Sequence, residues 1–353
     1  MPEGHTVHRL ATAFRAAFVG QRVRALSPQG RFAFEAEEID AQRMVSAEAV
    51  GKHLFLGFAP AEIDPAEVDP SAGIGVRYVH VHLGLYGSWT FAGDEQFEVA
   101  PAIGAPRRRV GEVEEILDPD LSVRSGQADW RRIVPRDTVR LRLQGAHGLA
   151  DLTGPTACEL IGAEQRAEIM ARLGPDPLRA DADGGEFVRR VLRSRSPIGV
   201  QLMNQQVIAG IGNIYRAEAL FRARLDPFVA GSSLTRGMVE GIWEDLVPLM
   251  EYGARTGRIV TTEPDHRDIE ARLIERSRGS RQNGDEEAGV VPREKSFYVY
   301  HRQTLPCRVC GTRVRSAQMA ARTVFWCPQC QTERSRRSPW SRQNPAAAWA
   351  LES

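Results

Sequence analysis

The feature that most limits how this chain can fold lies near its end. Cys307-Arg-Val-Cys310 and Cys327-Pro-Gln-Cys330 are two Cys-x-x-Cys knuckles separated by sixteen residues. Four thiolates make the tetrahedral set that zinc takes, and this spacing delivers them from the two ends of a β-hairpin. One structural Zn2+ ion held by Cys307, Cys310, Cys327 and Cys330 is therefore expected, not a disulfide framework. The fifth cysteine, Cys158, reads as a buried, inert thiol. Between the knuckles stand Arg313, Arg315 and Arg322. From His301 onward nine arginines face two glutamates, a local excess of about seven positive charges in a chain whose net charge is only +1. Such a basic finger suits phosphate, although zinc ribbons also serve purely as structural staples.

At 353 residues with 42% hydrophobic content, the chain is long enough for two domains and a small module. No stretch approaches the roughly 18 consecutive apolar residues of a membrane span, and the first residues run into charged, amphipathic sequence with no signal-peptide pattern. A cytoplasmic protein with no membrane partner is the expectation.

Val7, Leu10, Ala11, Phe14 and Phe18 recur at helical spacing, which predicts an amphipathic helix over residues 3–17. Apolar or alternating runs at 31–35, 43–58, 76–91 and 138–152 read as strands separated by Gly and Pro. The Pro-, Gly- and acid-rich stretches at 60–75 and 92–135 read as insertions or mobile loops. Helical patterns then dominate at 159–173, 186–194, 198–205, 213–224 and 235–254. The expected architecture is α+β and multidomain. It comprises an N-terminal β-sandwich opened by a helix (2–152), a helical domain (153–270), a flexible loop (271–296), a zinc finger (297–332) and a flexible tail (333–353).

Three further segments carry chemistry. Met1-Pro2-Glu3 would expose a secondary amine once the initiator Met is removed, and a terminal amine of pKa about 7.7 to 8.0 is partly uncharged near neutrality. It can attack a sugar carbon to give a Schiff base, with the Glu3 carboxyl beside it to shuttle protons. Alone, this opening is common by chance. Lys52, in Gly51-Lys52-His53-Leu54, interrupts a strand run and either points a cation into a groove or is a solvated surface lysine. Residues 201–220 describe a helix, an apolar turn with Gly210 and Gly212, and a second helix from Asn213. The N–H groups opening that helix make a phosphate site, unless the pair is a hairpin without ligand.

Taken together, these features resemble the formamidopyrimidine-DNA glycosylase and endonuclease VIII family, on its endonuclease VIII side. The likeness rests on Pro2-Glu3-Gly4, Gly51-Lys52-His53-Leu54, His82-Leu83-Gly84-Leu85-Tyr86-Gly87, the string Gln206 to Tyr215, Tyr298-Val299-Tyr300, and Arg322 five residues before Cys327. It spans most of residues 2–332.

The resemblance implies a bifunctional glycosylase and AP lyase that excises oxidised bases, pyrimidines favoured, and cleaves the strand by β,δ-elimination through a Pro2 Schiff base. Pro2 is then the nucleophile, Glu3 the general acid and Lys52 the groove lysine near the lesion. Asn213 and Arg322 grip the DNA backbone, and Leu85 and Tyr86 fill the space left by an extruded base, with packing in a strand core as their alternative. The partner is damaged DNA, in duplex, bubble or single-stranded form, bound by a monomer at the nucleoid. Where the family usually has a second acid three residues after Glu3, this chain has Thr6. An AP lyase with weak glycosylase activity is thus an alternative, and a catalytically inactive zinc-finger DNA-binding protein is another.

Overall fold

The computed structural model describes residues 2–63, 68–70, 73–100, 102–104, 109–110, 113–114, 130–267 and 291–332. The expected tail 333–353, half of the expected loop at 92–135 and most of that at 271–296 lie outside the described residues. The chain divides into two compact units, the first running to Arg172 and the second from Leu173.

The first unit opens with α1 (Gly4–Ala17), which buries Val7, Leu10, Ala11 and Phe14 along one face as the spacing predicts. Next come β1 (Arg24–Leu26), α2 (Ala33–Ile39), β2 (Arg43–Val50), β3 (His53–Ala59), β4 (Arg77–His82), β5 (Ser88–Gly93) and β6 (Ala102–Gly104). Two short strands, β7 (Arg109–Val110) and β8 (Val113–Glu114), pair with each other. The unit ends with β9 (Val139–Gln144), β10 (Gly148–Thr153), β11 (Ala157–Ile161) and α3 (Ala163–Ala171). Five strands form one sheet in the order β1-β9-β10-β5-β6, and four form another in the order β11-β4-β3-β2. Phe14, Phe18, Leu54, Leu56, Val79, Val81, Trp89 and Leu141 are shared by one buried core. The expected sandwich opened by a helix is thus present.

Two local expectations are corrected. Residues 31–35 alternate like a strand, yet Ala33–Ile39 is helical, because only a helix turns Phe32, Ala36 and Ile39 into the core together and leaves Phe34 outside, 73% exposed. Residues 159–173 read as one helix, but β11 occupies the start and pairs Glu159 with His80 at the sheet edge. α3 begins only after Gly162.

The second unit holds α4 (Gly184–Leu192), α5 (Ile198–Gln201), α6 (Asn213–Arg222), α7 (Arg236–Thr256) and a hairpin of β12 (Arg315–Met319) and β13 (Arg322–Trp326). α7 is capped by Thr235, whose side chain accepts from Met238 N–H, and stops at Gly257 in the left-handed conformation. Its buried face packs with Phe187, Ile208, Ile211, Tyr215 and Leu220 in one core. The other side of α6 contributes Ile214, Ala217 and Phe221 to a second core shared with Tyr298, Val299, Val314 and Phe325. Among the described residues, no helix is long and apolar enough to cross a membrane.

Candidate active site

In the first unit, Pro2 is buried and Glu3 is wholly so, at the point where α1 starts. Glu3 keeps extended backbone at the N-cap, and its carbonyl accepts from Thr6 N–H at 3.0 Å. The N–H groups and dipole at this helix end place partial positive charge beside both residues. His5 is buried in the first turn, and its pKa falls to about 3, first through burial and then through the positive charges of the chain start, Arg9 and His8. It is therefore neutral at pH 7. Its Nε2 lies 3.2 Å from Thr6 Oγ1, so the residue standing in place of a second acid is tied to this imidazole.

Lys52 sits in the two-residue turn joining β2 to β3, where Val50 pairs with His53. Gly51 takes φ +58° and Lys52 has no positive φ, the pattern of a type II′ hairpin turn with glycine at its first central position. The lysine is half-buried at the hairpin tip and not within a strand.

Leu85 and Tyr86 are likewise outside any strand, which removes the strand-core alternative for them. β4 ends at His82, and Gly87 N–H donates to Leu83 carbonyl at 2.9 Å, closing a single tight turn. Gly84 adopts φ +65°, and a Cβ there would run into Thr156 Oγ1. The turn therefore requires glycine at 84 and presents the next two side chains at its tip. Leu85 is half-buried and Tyr86 is 63% exposed.

A histidine cluster that sequence reasoning missed lies beside Lys52. His53 Nδ1 is 2.8 Å from His80 Nε2, and His80 Nδ1 is 2.7 Å from Glu159 Oε1. The His53 pKa is pushed down to about 3 by burial, then by His80, His82 and Lys52. That of His82 is lowered by burial, Lys52 and His80. The available signal was the alternation His80-Val81-His82, which puts both imidazoles on one face of a strand. Cys158, on β11, packs against the core and its thiol is raised to about 12 by burial, as an inert group should be.

In the second unit, the turn before α6 is braced by Gln205. Its Oε1 accepts from Gly210 N–H at 3.0 Å and its Nε2 donates to Ile211 carbonyl at 2.9 Å. Asn213, first in α6, is buried; its Nδ2 donates to Thr323 carbonyl at 3.0 Å and its Oδ1 accepts from Arg216. Arg216 is wholly buried and also donates to Thr323, Met319 and Gly199 carbonyls. Arg322 opens β13 directly after Ala320 and Ala321, whose φ values of 51° and 57° form the hairpin turn. Glu218 of α6 accepts from the N–H groups of Tyr298, Val299 and Tyr300, which fixes the lead into the finger. Gln205, Arg216 and Glu218 escaped sequence reasoning because polar residues in a helical run look like its solvent face.

The ligand atoms of Cys307, Cys310, Cys327 and Cys330 lie within 4.8 Å of one another. The Sγ pairs Cys307–Cys330 and Cys310–Cys327 are 3.9 and 3.5 Å apart. Zn–S bonds of about 2.3 Å in a tetrahedron require sulfur separations of about 3.8 Å, whereas a disulfide needs about 2.0 Å. The four thiols fit one structural zinc ion.

Three family models match the chain. They are the formamidopyrimidine-DNA glycosylase N-terminal domain at residues 1–148, the formamidopyrimidine-DNA glycosylase H2TH domain at 173–265, and the zinc finger found in FPG and IleRS at 305–332. Endonuclease 8 1 of Mycobacterium tuberculosis (strain ATCC 25618 / H37Rv) is 39% identical over 338 residues, covering 94% of this chain and all of that protein. Formamidopyrimidine-DNA glycosylase of Nitratidesulfovibrio vulgaris is 38% identical over 160 residues, covering 45% of this chain and 38% of that protein. The structure of Lactococcus lactis Fpg with DNA containing an abasic site shares the fold, with a TM-score of 0.63 at 18% identity, covering 94% of this chain and all of that one.

Proposed function

Because the chain belongs to the formamidopyrimidine-DNA glycosylase and endonuclease VIII family of DNA glycosylases with AP lyase activity, we propose that Pro2 is its nucleophile and that oxidised pyrimidines are its preferred lesions. The observation that carries this reading is the placement of Pro2 and Glu3, both buried at the positive end of α1. A low-dielectric position beside a helix N-terminus favours the free amine over the ammonium.

With Met1 removed, the Pro2 nitrogen attacks C1′ of an extruded nucleotide, the damaged base leaves, and an iminium forms. Glu3 delivers a proton to the ring oxygen as the sugar opens. Loss of a C2′ proton then expels the 3′ phosphate, a second elimination expels the 5′ phosphate, and water frees the amine. A one-nucleotide gap with phosphates on both sides remains. Lys52 contacts phosphate near the lesion, Asn213 and Arg322 hold the backbone, and Leu85 with Tyr86 fill the vacated stack. Their exposed turn and the whole-length likeness to proteins named endonuclease 8 support the pyrimidine preference. The enzyme acts as a cytoplasmic, nucleoid-associated monomer on duplex, bubble or single-stranded DNA.

One observation favours a second reading. Thr6 is tied to His5 and supplies no carboxylate, which favours an enzyme stronger in strand cleavage than in base excision. Borohydride tests the main proposal. The mature protein should be trapped covalently on abasic DNA, and Pro2→Gly should abolish the adduct. A wild-type chain confirmed to begin with proline that forms no adduct would overturn it.

A further inference from the structure

Glu159, His80 and His53 form one hydrogen-bonded row across three adjacent strands, on the face of the four-stranded sheet away from the core, with His53 diagonal to His80, whose partner in register on β3 is Phe55. Glu159 pairs in register with His80, and His53 with His82. The His53 and His80 rings stack at 5.1 Å and 16°, and Phe55 covers His80 at 5.0 Å and 19°. His80 is 4% exposed, whereas the Glu159 side chain is 53% exposed. The row thus runs from solvent at Glu159, through a closed imidazole, to His53 beside Lys52.

The two hydrogen bonds fix the protons. Glu159 as a carboxylate can only accept, so His80 Nδ1 donates to it. A neutral His80 then has only a lone pair at Nε2, which must accept from His53 Nδ1–H. His53 Nε2 is left as a base. The alternative proton distribution is equally well bonded: a proton arrives at His53 Nε2, the Nδ1 proton of His53 passes to His80 Nε2, and the charge rests on His80 against Glu159. The net change is one proton gained from solvent, with no bond lost along the row.

We propose that Glu159, His80 and His53 form a proton relay that takes up a proton when DNA phosphate docks at Lys52. This inference rests on the reading of Lys52 as a DNA contact. The charged and titratable groups around His53 are Lys52 in the β2–β3 turn, His80 and His82 on β4, and Glu159 on β11. Glu48 on β2 lies opposite Phe55 and is paired with Arg166 of α3. Without DNA, burial and then the His80, His82 and Lys52 charges hold His53 neutral. A phosphate on Lys52 offsets the lysine charge and adds an anion beside the imidazole, so the charged form of the relay becomes favourable.

The test is calorimetry of the full-length protein binding a duplex with a tetrahydrofuran abasic analogue, near pH 6.5, in buffers of different ionisation enthalpy. Wild type should take up a proton on binding. Glu159→Gln keeps shape at an exposed position and should cut that uptake at least twofold. His80→Phe, which keeps the stack, should do the same. No uptake by wild type, or uptake by both variants as large as that of wild type, overturns the relay. Lys52→Ala separates the two readings. If it leaves affinity and its salt dependence unchanged, the docking role of Lys52 is lost and the trigger with it. If it weakens binding while the relay variants behave as wild type, only the relay fails.

Discussion

Asn213 Nδ2 donates to the carbonyl of Thr323 at 3.0 Å, so the first residue of α6 holds the residue that follows Arg322. Arg216 grips the same carbonyl and that of Met319, which flank the hairpin turn on both sides. The placement of the finger arginine is thus set from the helix that it packs on, across more than a hundred residues of sequence.

Removing that grip should loosen Arg322 without touching it. Arg216→Met deletes buried hydrogen bonds to several carbonyls and should cost about 2–4 kcal/mol of unfolding free energy. It should also weaken binding to abasic-analogue DNA roughly tenfold, while adding little when combined with Arg322→Ala. Urea unfolding and a double-mutant cycle on DNA affinity check both parts; independent, additive losses would show that the contact does not position Arg322.

Acid should destabilise the protein before its carboxylates titrate. His5 and His53 both have folded pKa values of about 3 against ordinary values of 6.5. Between these limits the unfolded chain binds protons that the folded chain refuses, so this contribution to stability is complete above pH 6.5 and is lost as pH falls toward 3. Thermal unfolding should therefore fall in temperature from pH 6.5 to 4. His53→Phe, which keeps an aromatic ring against His80, should reduce that fall by about 2–4 °C, the amount expected for roughly 1 kcal/mol in a unit of this size. An unchanged slope would place the titration elsewhere.

Zinc should be needed for DNA binding as well as for the finger's own fold. Cys307, Cys327 and Cys330 are buried in the same core as Ile214, Ala217 and Phe221 of α6, so the metal cluster and the helix that opens with Asn213 share packing. Structural zinc stabilises small fingers by about 10–16 kcal/mol. Chelation, or Cys310→Ser, should release one zinc ion per chain and lower affinity for lesion DNA at least about tenfold. A dye-based zinc titration alongside a binding assay measures both; full affinity in zinc-free protein would contradict the prediction.

What could be read in the sequence was local. The knuckle spacing declared the four-cysteine site, and the helical period of Val7, Leu10, Ala11 and Phe14 declared α1. The misreadings arose where partners far along the chain decided the outcome. Residues 157–161 become a strand only because β4 offers an edge, and no local pattern announces that. His53 meets His80 across 27 residues and His80 meets Glu159 across 79. Each is an ordinary polar residue until the sheet sets them side by side.

The turn that carries Leu85 and Tyr86, proposed to fill the vacated stack, yields a last expectation, because its shape depends on one glycine. Gly84 at φ +65° has no room for a side chain, since a Cβ would collide with Thr156 Oγ1. Gly84→Ala must strain the backbone or open the turn, at a cost of about 1–3 kcal/mol. The displacement should fall on Leu85 and Tyr86, which the turn presents, and not on Pro2 or Glu3. Filling the stack matters while a damaged base is being extruded and matters less once the base is gone. Excision from a duplex lesion should therefore drop by about tenfold or more, while cleavage at a preformed abasic site changes little. Nicking assays on the two substrates, run side by side, measure the ratio. Equal losses on both would assign the turn a structural role only.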